Sequence, residues 1–444
     1  MFVLPKEVIY IIEALESNGY EAYIVGGCVR DSLLGKTPKD WDICTSALPT
    51  ETMRVFSNHT TIATGLQHGT LTLVLDHHPY EITTYRIDGN YSDHRRPETV
   101  SFVRNLHEDL ARRDFRINAM AYHPTRGVAD PFGGREDLRN GVIRCVGDPT
   151  RRFREDALRI MRAMRFAAVL GFRIDEDTAA AMLSTRDLLS EIAVERIAAE
   201  LKQMLLGDFF RDIVEKSFPV IAEVLPELAP TAGFLQNHPF HDCDVLTHIL
   251  KSVEAAPRDP VLRLTMLLHD IGKPQVYSES AGVGHFYGHS RSSLEIAQNI
   301  LTRLRFDTDT LHQVTELIRY HDAEIVAERR AVKRWLQRLG EQRFWQLLEV
   351  QRADLAAQSP RAKEEMSGRI EAVSAVAAEV IREKQCFSLR ALAVKGDDLL
   401  AAGMSEGREV GQVLERMLEW VIEEKVDNDK DTLLAVLKRK EFSS

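Results

Sequence analysis

Two aspartates one residue apart, Asp40 and Asp42, stand shortly after a glycine pair, Gly26-Gly27. Carboxylates that close repel one another unless a cation lies between them, and hard oxygen donors suit Mg²⁺. Glycines without a Cβ let backbone N–H groups close in on an anion. A phosphate cradle followed by a carboxylate pair is the layout expected for metal-assisted nucleotidyl transfer. By itself D-x-D is short and reads equally as two solvated acids on a strand.

Local pattern supplies the elements that must hold these groups. Tyr23 to Val25 is a short apolar run that reads as a strand, and Val29 to Leu34 reads as a helix whose N-terminus faces the same anion. After Pro38, Asp40 to Ile43 reads as a second strand, on which residues i and i+2 put both carboxylates on one face. A leading helix is expected from Val3 to Ser17, stopped by Asn18-Gly19, and another start near Pro49. Thr70 to Leu75 and Tyr80 to Tyr85 form a hairpin by composition, and Glu81 in its second arm is either a third carboxylate beside the pair or an ordinary exposed strand residue. Ile87 to Glu98, with Asp93 and Arg95-Arg96-Pro97, lacks apolar periodicity and is expected to be a mobile loop.

Taken as one unit, the stretch from Tyr23 to Thr45 resembles motif A of the class II tRNA nucleotidyltransferase and poly(A) polymerase family. The likeness continues downstream. Leu110 to Tyr122 (LARRDFRINAMAY) resembles motif B, and Asp130 to Leu138 resembles motif C, a turn with a structural role. Arg151 to Phe166 (RRFREDALRIMRAMRF) reads as one strong helix carrying motif D, with Asp156 and Arg159 three apart on one face. The resemblance implies that Asp40 and Asp42 are catalytic and hold Mg²⁺. It implies that Gly26, Gly27, Arg30 and Arg113 serve the nucleotide, with Arg112 as a further candidate against the triphosphate. Asp114 and Asn118, expected four apart on a helix, hold ribose hydroxyls, although R-R-D also reads as a helix cap. Asp156 and Arg159 read the base, Arg152 also serves the nucleotide, and Glu155 is a further candidate; without the resemblance, Asp156 and Arg159 are an ordinary intrahelical ion pair. The implied reaction is template-free addition of C, C and A to the tRNA 3′ end from CTP and ATP, the loop before motif B helping the change from C to A.

Eight of the fifteen histidines fall between His238 and His321. The order His248, His269-Asp270, His289, His321, Asp354 is similar to the ligand pattern of the HD phosphohydrolase superfamily. Imidazoles with carboxylates suit a divalent transition metal, Mg²⁺ or Mn²⁺ that activates water, though such a region can also keep its ligands and act only as a scaffold. His238, His241, His285 and His312 read as ordinary histidines.

The fold class implied is α+β: a mixed-sheet nucleotidyltransferase head (1–140), a helical neck carrying motif D (141–235), an HD-type helical region (236–385) and a helical tail (386–444) that contacts tRNA. The net charge of −10 argues against a general nucleic-acid coat. From Arg95 to Arg165, however, sixteen arginines and no lysine stand against ten acids, which favours planar contacts to phosphate or bases. Five scattered cysteines without a C-x-x-C pair fit a reducing compartment, so a cytoplasmic protein is expected. No apolar run is long enough for a bilayer, and no membrane or protein partner is inferred. The rival readings are an enzyme of this fold that adds only A, a poly(A) polymerase, an HD hydrolase with an RNA-binding head, and a non-catalytic RNA-binding protein.

Overall fold

The computed structural model describes residues 2–89 and 100–438. The chain divides into two compact units, Met1–Pro226 and Glu227–Ser444. The fold class is α+β, as expected: a mixed sheet followed by helices.

The first unit is built on a seven-stranded sheet of order β3-β4-β5-β2-β1-β8-β9. Its strands are β1 (Ala22–Val25), β2 (Asp42–Thr45), β3 (Thr60–Gly65), β4 (Thr70–Leu75), β5 (His78–Thr84), β8 (Ala121–His123) and β9 (Gly127–Ala129); β6 (Arg86–Asp88) and β7 (Val100–Phe102) pair separately. Within this sheet β2 and β5 are the one parallel pair among the described residues, because the helix Pro49–Val55 and the β3–β4 pair return the chain between them. β1 is buried at all four positions, as a central strand covered on both faces should be. Tyr23, Val25, Cys44, Tyr85, Leu110 and Ala121 make the core on one side. The helix Lys6–Ser17 packs on β1 with Val8, Ile11, Ile12 and Leu15 buried.

Five expected elements differ from those found. β2 begins at Asp42, so Asp40 lies in the bend ahead of it rather than on the strand. β1 turns away at Gly26 (φ +76°), which leaves Asp40 no neighbour to pair with on that side. The hairpin turn shrinks to Asp76 and His77, both at positive φ (47° and 65°), so His78 and Pro79 join β5. Ile87 and Asp88 belong to β6, while the rest of the expected loop, 90–99, lies outside the described residues. Motif B is not one helix: Leu106–Ala111 is α-helical, and a 3₁₀ turn, Arg116–Asn118, follows. Between them the backbone is drawn out by Phe115 bridging Cys145 and by bonds from Arg116 N to Arg144 O (2.9 Å) and Val146 N to Asp114 O (3.1 Å).

Arg151 to Phe166 is also two helices, Pro149–Glu155 and Leu158–Leu170, with Asp156 extended between them (φ −144°, ψ 102°). Aspartate competes for backbone donors, and here its Oδ1 accepts from Leu158 N at 3.1 Å, capping the second helix. The second unit is helical. Val245–Ala255, Pro260–Leu268, Thr308–Tyr320 and Pro360–Arg382 start behind Asp244, Asp259, Asp307 and Ser359, each of which accepts from the first turn. Gly340 (φ 74°) breaks Arg329–Ala357, so its last turns follow their own direction. Gly396–Ala401, Arg408–Ile422 and Lys430–Lys438 close on a separate small core around Leu399, Met417 and Leu433. No helix among the described residues is long and apolar enough to cross a membrane.

Candidate functional site

In the first unit, the parallel register sets Asp42 opposite Glu81 on neighbouring strands. Glu81 is thus an exposed strand residue that also lies beside Asp42. The carboxyls of Asp42 and Glu81 are both raised above the usual carboxylate range. For Asp42 the cause is chiefly desolvation by surrounding protein, against the pull of Arg113 and with Asp40 adding to the rise. For Glu81 it is desolvation, then Asp42 and Asp40. No ion pair among the described residues neutralises these three exposed acids, and mutually repelling oxygens that lack a partner suit a hard divalent cation.

Gly26 closes the other side. A Cβ there would lie 2.9 Å from Arg113 Nη1 and 3.9 Å from Asp42 Oδ2, so glycine, carboxylate and guanidinium share one pocket. Arg113 is held by Asp109 Oδ2 (3.4 Å), and its buried Nε has no hydrogen-bond partner, which leaves a donor for an anion. Arg112 turns instead to Asp109 Oδ1 (2.8 and 3.0 Å). Asp109, fully buried, thus positions both arginines; its i, i+3 and i, i+4 spacing to them was the available signal.

Asp114 and Asn118 do meet, though across a turn rather than on a helix. Asn118 Nδ2 donates to Asp114 Oδ1 (3.1 Å), and Arg30 donates to Asn118 Oδ1 (2.8 Å). Arg162 binds Asp114 Oδ2 through two nitrogens (2.7 and 2.9 Å) and Phe115 N fills Oδ1 (2.7 Å). Burial pushes this carboxyl up, but Arg162 and Asn118 outweigh it and hold it at about 2. Motif C forms a turn in which Asp130 accepts from Gly134 N (2.7 Å) and Arg135 N (2.9 Å). A side chain at Gly134 would strike Arg116 O at 2.2 Å.

The structure does not contain the Asp156–Arg159 ion pair. Asp156 takes Arg196 (2.9 Å), from the helix Val194–Leu205, and Arg159 takes Glu155 (3.0 Å). Arg152 shares Glu155 (2.8 Å). Arg159 and Arg152 both also donate to Arg112 O (3.1 and 3.3 Å), joining motif D to motif B. Arg162, Arg196 and Glu200, which grips Arg165 at 2.6 Å, were not singled out in the sequence; only the amphipathic spacing of the helices hints at them.

In the second unit, five helical segments bring His248, His269, Asp270, His289, His321 and Asp354 together. One group is His248, His269, Asp270 and Asp354 and the other is Asp270, His289 and His321, each with ligand atoms within 4.8 Å of one another. Every imidazole is oriented the same way. Nδ1 of His269, His289 and His321 faces Met266 O (2.8 Å), Phe286 O (3.0 Å) and Ile318 O (2.7 Å), and His248 Nδ1 lies 3.5 Å from Ala357 O. That leaves the Nε2 atoms facing inward, in contacts of 3.3 Å (His248–His269) and 3.1 Å (His289–His321). Backbone carbonyls on Nδ1 are how metal-binding imidazoles are usually fixed. Asp270 Oδ1 is buried without a hydrogen bond, and the set of imidazole nitrogens and carboxylate oxygens fits a divalent ion.

Lys273, not singled out in the sequence, and His241 also line this cleft. Lys273, buried, lies 2.6 Å from Asp270 and donates to Gln236 Oε1 (2.8 Å). His241, expected to be an ordinary histidine, stands 5.0 Å from the His248 ring; burial, Lys273 and His248 push it down to about 3. His238 and His285 line the cleft as well.

The family description "Poly A polymerase head domain" matches residues 22–144. "Probable RNA and SrmB- binding site of polymerase A" matches 171–230, and "tRNA nucleotidyltransferase domain 2 putative" matches 287–437. The CCA-adding enzyme of Geobacillus kaustophilus is 48% identical over 52% of this chain and 54% of its own. The match thus spans about half the length of the first curated relatives. That of Lactiplantibacillus plantarum is 35% identical over 96% of this chain and 93% of its own. Among solved structures, the Bacillus stearothermophilus CCA-adding enzyme in complex with CTP covers 99% of both chains at 29% identity and a TM-score of 0.73. A Thermotoga maritima CCA-adding enzyme complexed with tRNA covers 99% of this chain and 97% of its own at 20% identity and a TM-score of 0.59, a likeness of fold.

Proposed function

The chain belongs to the CCA-adding enzyme family, and on that premise we propose that it adds C, C and A to the 3′ end of tRNA from CTP and ATP without a nucleic-acid template. The observation that carries the reading is the single pocket formed by the Gly26 turn, Asp42 with Glu81 opposite, and Arg113 with its unpartnered Nε. The relatives it matches over nearly its whole length, or with CTP bound, bear the same activity in their names.

In this reading Asp40 and Asp42 hold Mg²⁺, with Glu81 beside them. The cations supply charge neutralisation at the triphosphate and acidify the primer 3′-hydroxyl. Gly26 and Gly27 admit the triphosphate to the backbone, and Arg113 and Arg30 meet its charge. Asp114, already filled by Arg162, orients Asn118, whose second Nδ2 proton remains for a ribose hydroxyl. Asp156 offers acceptor lone pairs, and Arg159 keeps Nε and one further proton as donors. Cytosine and adenine both present an amino donor and a ring-nitrogen acceptor to such a pair, whereas uracil and guanine do not. The regions proposed are head 1–140, neck 141–235, HD-type region 236–385 and tail 386–444, in a cytoplasmic protein whose partners are tRNA, CTP and ATP.

The test is incorporation into tRNA transcripts ending before CCA, after C and after CC, given CTP and ATP singly and together. Stepwise C, C, A addition is expected. Addition of A alone, or of long A tracts, replaces the reading with an A-adding enzyme or a poly(A) polymerase.

The inward-facing imidazoles support a second activity. The histidine–aspartate centre would hold a divalent ion, which lowers the pKa of a bound water, and hydrolyse a phosphate ester. Water would cleave a P–O bond and release the alcohol and the phosphate. Absence of hydrolysis with Mg²⁺, Mn²⁺, Ni²⁺ and Co²⁺ each supplied would reduce this centre to a scaffold.

A further inference from the structure

The cleft of about 380 Å³ over the histidine–aspartate centre has Asp270, His289, His321 and Asp354 among its walls. Its lip is aromatic. The strand Val283–His285 leads into Phe286, which turns inward with its ring 5.2 Å from Lys273 Nζ. Tyr287 then points outward, 78% exposed, and Gly288 (φ +77°) brings the chain back so that His289 opens the next helix and joins the centre.

Tyr287 does not swing freely. Its ring lies parallel to His285 (5.3 Å between centroids, 9° between planes), with its hydroxyl 3.4 Å from His285 Nδ1. One face is therefore backed and the other is bare. Tyr287 is two positions from His289, so their Cα atoms lie at most ~7 Å apart, and both residues line the cleft. A nucleotide's sugar likewise holds its base a short, fixed distance from its phosphate. Lys273 is already committed to Asp270 and Gln236, so the cleft offers a substrate no free ammonium group in its place. An exposed aromatic face fixed in plane beside a phosphate-ester centre suits a nucleobase, since every base has a π-face to stack.

We infer that Tyr287, backed by His285, is a nucleobase platform for the histidine–aspartate centre, so that this centre takes nucleoside phosphates in preference to simple phosphate esters. The inference rests on the second activity proposed above. Tyr287 is a binding residue in it and takes no part in bond cleavage.

Uridine phosphates are the probe of choice, because the pocket in the first unit is proposed to read only C and A. Uridine 3′-phosphate and glycerol phosphate are titrated into the full chain in EDTA by calorimetry, and their hydrolysis is followed with Mn²⁺. In Tyr287→Ala the uridine 3′-phosphate Kd and KM should rise about tenfold or more, with kcat and the glycerol phosphate constants unchanged. Tyr287→Trp should restore binding, and its added fluorescence should be quenched by the nucleotide. A Tyr287→Ala chain that binds both ligands like wild type, or weakens equally for both, overturns the platform, as does a wild type that binds no uridine phosphate. Tyr287-dependent binding without hydrolysis by any metal form keeps the platform and removes the hydrolase reading. Equal hydrolysis of both esters, unaffected by Tyr287→Ala, does the reverse. A tRNA ending in a 2′,3′-cyclic phosphate, run beside the free nucleotide, shows by which one Tyr287→Ala slows whether the base comes from an RNA end or a free nucleotide.

Discussion

Around Asp42 the carboxylates face one another and solvent, whereas around Asp270 the acidic oxygens face imidazoles and an ammonium group. Asp270 Oδ2 lies 2.6 Å from Lys273, 3.2 Å from His248 and 3.3 Å from His269. Burial pushes the Asp270 carboxyl up, but His269 and Lys273 hold it well below the usual range. The same contacts carry His269 the other way: burial lowers it, and Asp270 more than reverses this, to about 10. The first unit thus leaves its negative charge uncompensated, as a site for a cation that comes and goes with substrate would. The second compensates its charge with protons on histidine, which an incoming metal must displace. Like charges in solvent and opposite charges in the core are two ways of preparing a metal site.

The largest expected effect tests the uncompensated side. Asp42→Ala should lower addition of both C and A by roughly a hundredfold or more, as loss of a group that stabilises transition-state charge does. Binding of tRNA should stay within a few fold. A variant retaining more than a few per cent of wild-type incorporation would remove Asp42 from the chemistry.

On the compensated side, Asp270→Asn should weaken divalent-ion binding, read by calorimetry with Mn²⁺, by roughly a hundredfold. CCA addition should remain near wild type. If addition falls along with metal binding, the two centres are not independent and the contrast between them fails.

Much of this was legible in the sequence. Gly26-Gly27, the D-x-D pair and the ordered histidines each sit in a short stretch whose residue types already state the chemistry. What was not legible depends on partners far along the chain. Arg162 reaches Asp114 across 48 residues and Arg196 reaches Asp156 across 40, and no periodicity announces either. Asp156 also shows why the single-helix expectation failed. Apolar spacing ran unbroken from Phe153 to Met164, but one aspartate accepting from Leu158 N was enough to divide the helix. The placement of Asp40 ahead of β2 depended in the same way on where β1 turns, which is a property of the neighbour.

Asp114 is a paired carboxylate within the first unit, and it makes the contrast quantitative. Its folded value of about 2 lies below the unfolded value near 3.9, so the ionised form favours folding by about 2–3 kcal/mol. That stability should be complete above about pH 4 and be lost as pH falls toward 2. Asp114→Asn should remove it at neutral pH and flatten this part of the urea-unfolding profile. An unchanged slope would show that Arg162 finds another partner.

A smaller effect is expected where a half-buried carboxylate divides its acceptors between two partners. Asp156 is shared between Leu158 N and Arg196, so Asp156→Asn should relax discrimination against UTP by roughly tenfold rather than slow all nucleotides alike. The ratio of kcat/KM for CTP to that for UTP decides it. Equal losses on all four nucleotides would make Asp156 a helix cap and nothing more.

The smallest effect has the opposite sign. Without metal, ionised Asp42 is repelled by Asp40 and, across the strand pair, by Glu81. Both acids are exposed, so water screens much of this repulsion, and its cost is below about 1 kcal/mol. Asp42→Asn should therefore raise the Tm of the first unfolding transition slightly in EDTA, while Asp114→Asn lowers it. Mg²⁺ should reverse the order, because an ion that binds only the folded wild-type site stabilises it by mass action and gives the variant nothing. Scanning calorimetry of both variants at neutral pH, with and without Mg²⁺, separates the cases. A fall in Tm for Asp42→Asn in EDTA would mean that Arg113 already compensates this carboxylate, and that the first unit is prepared in the same way as the second.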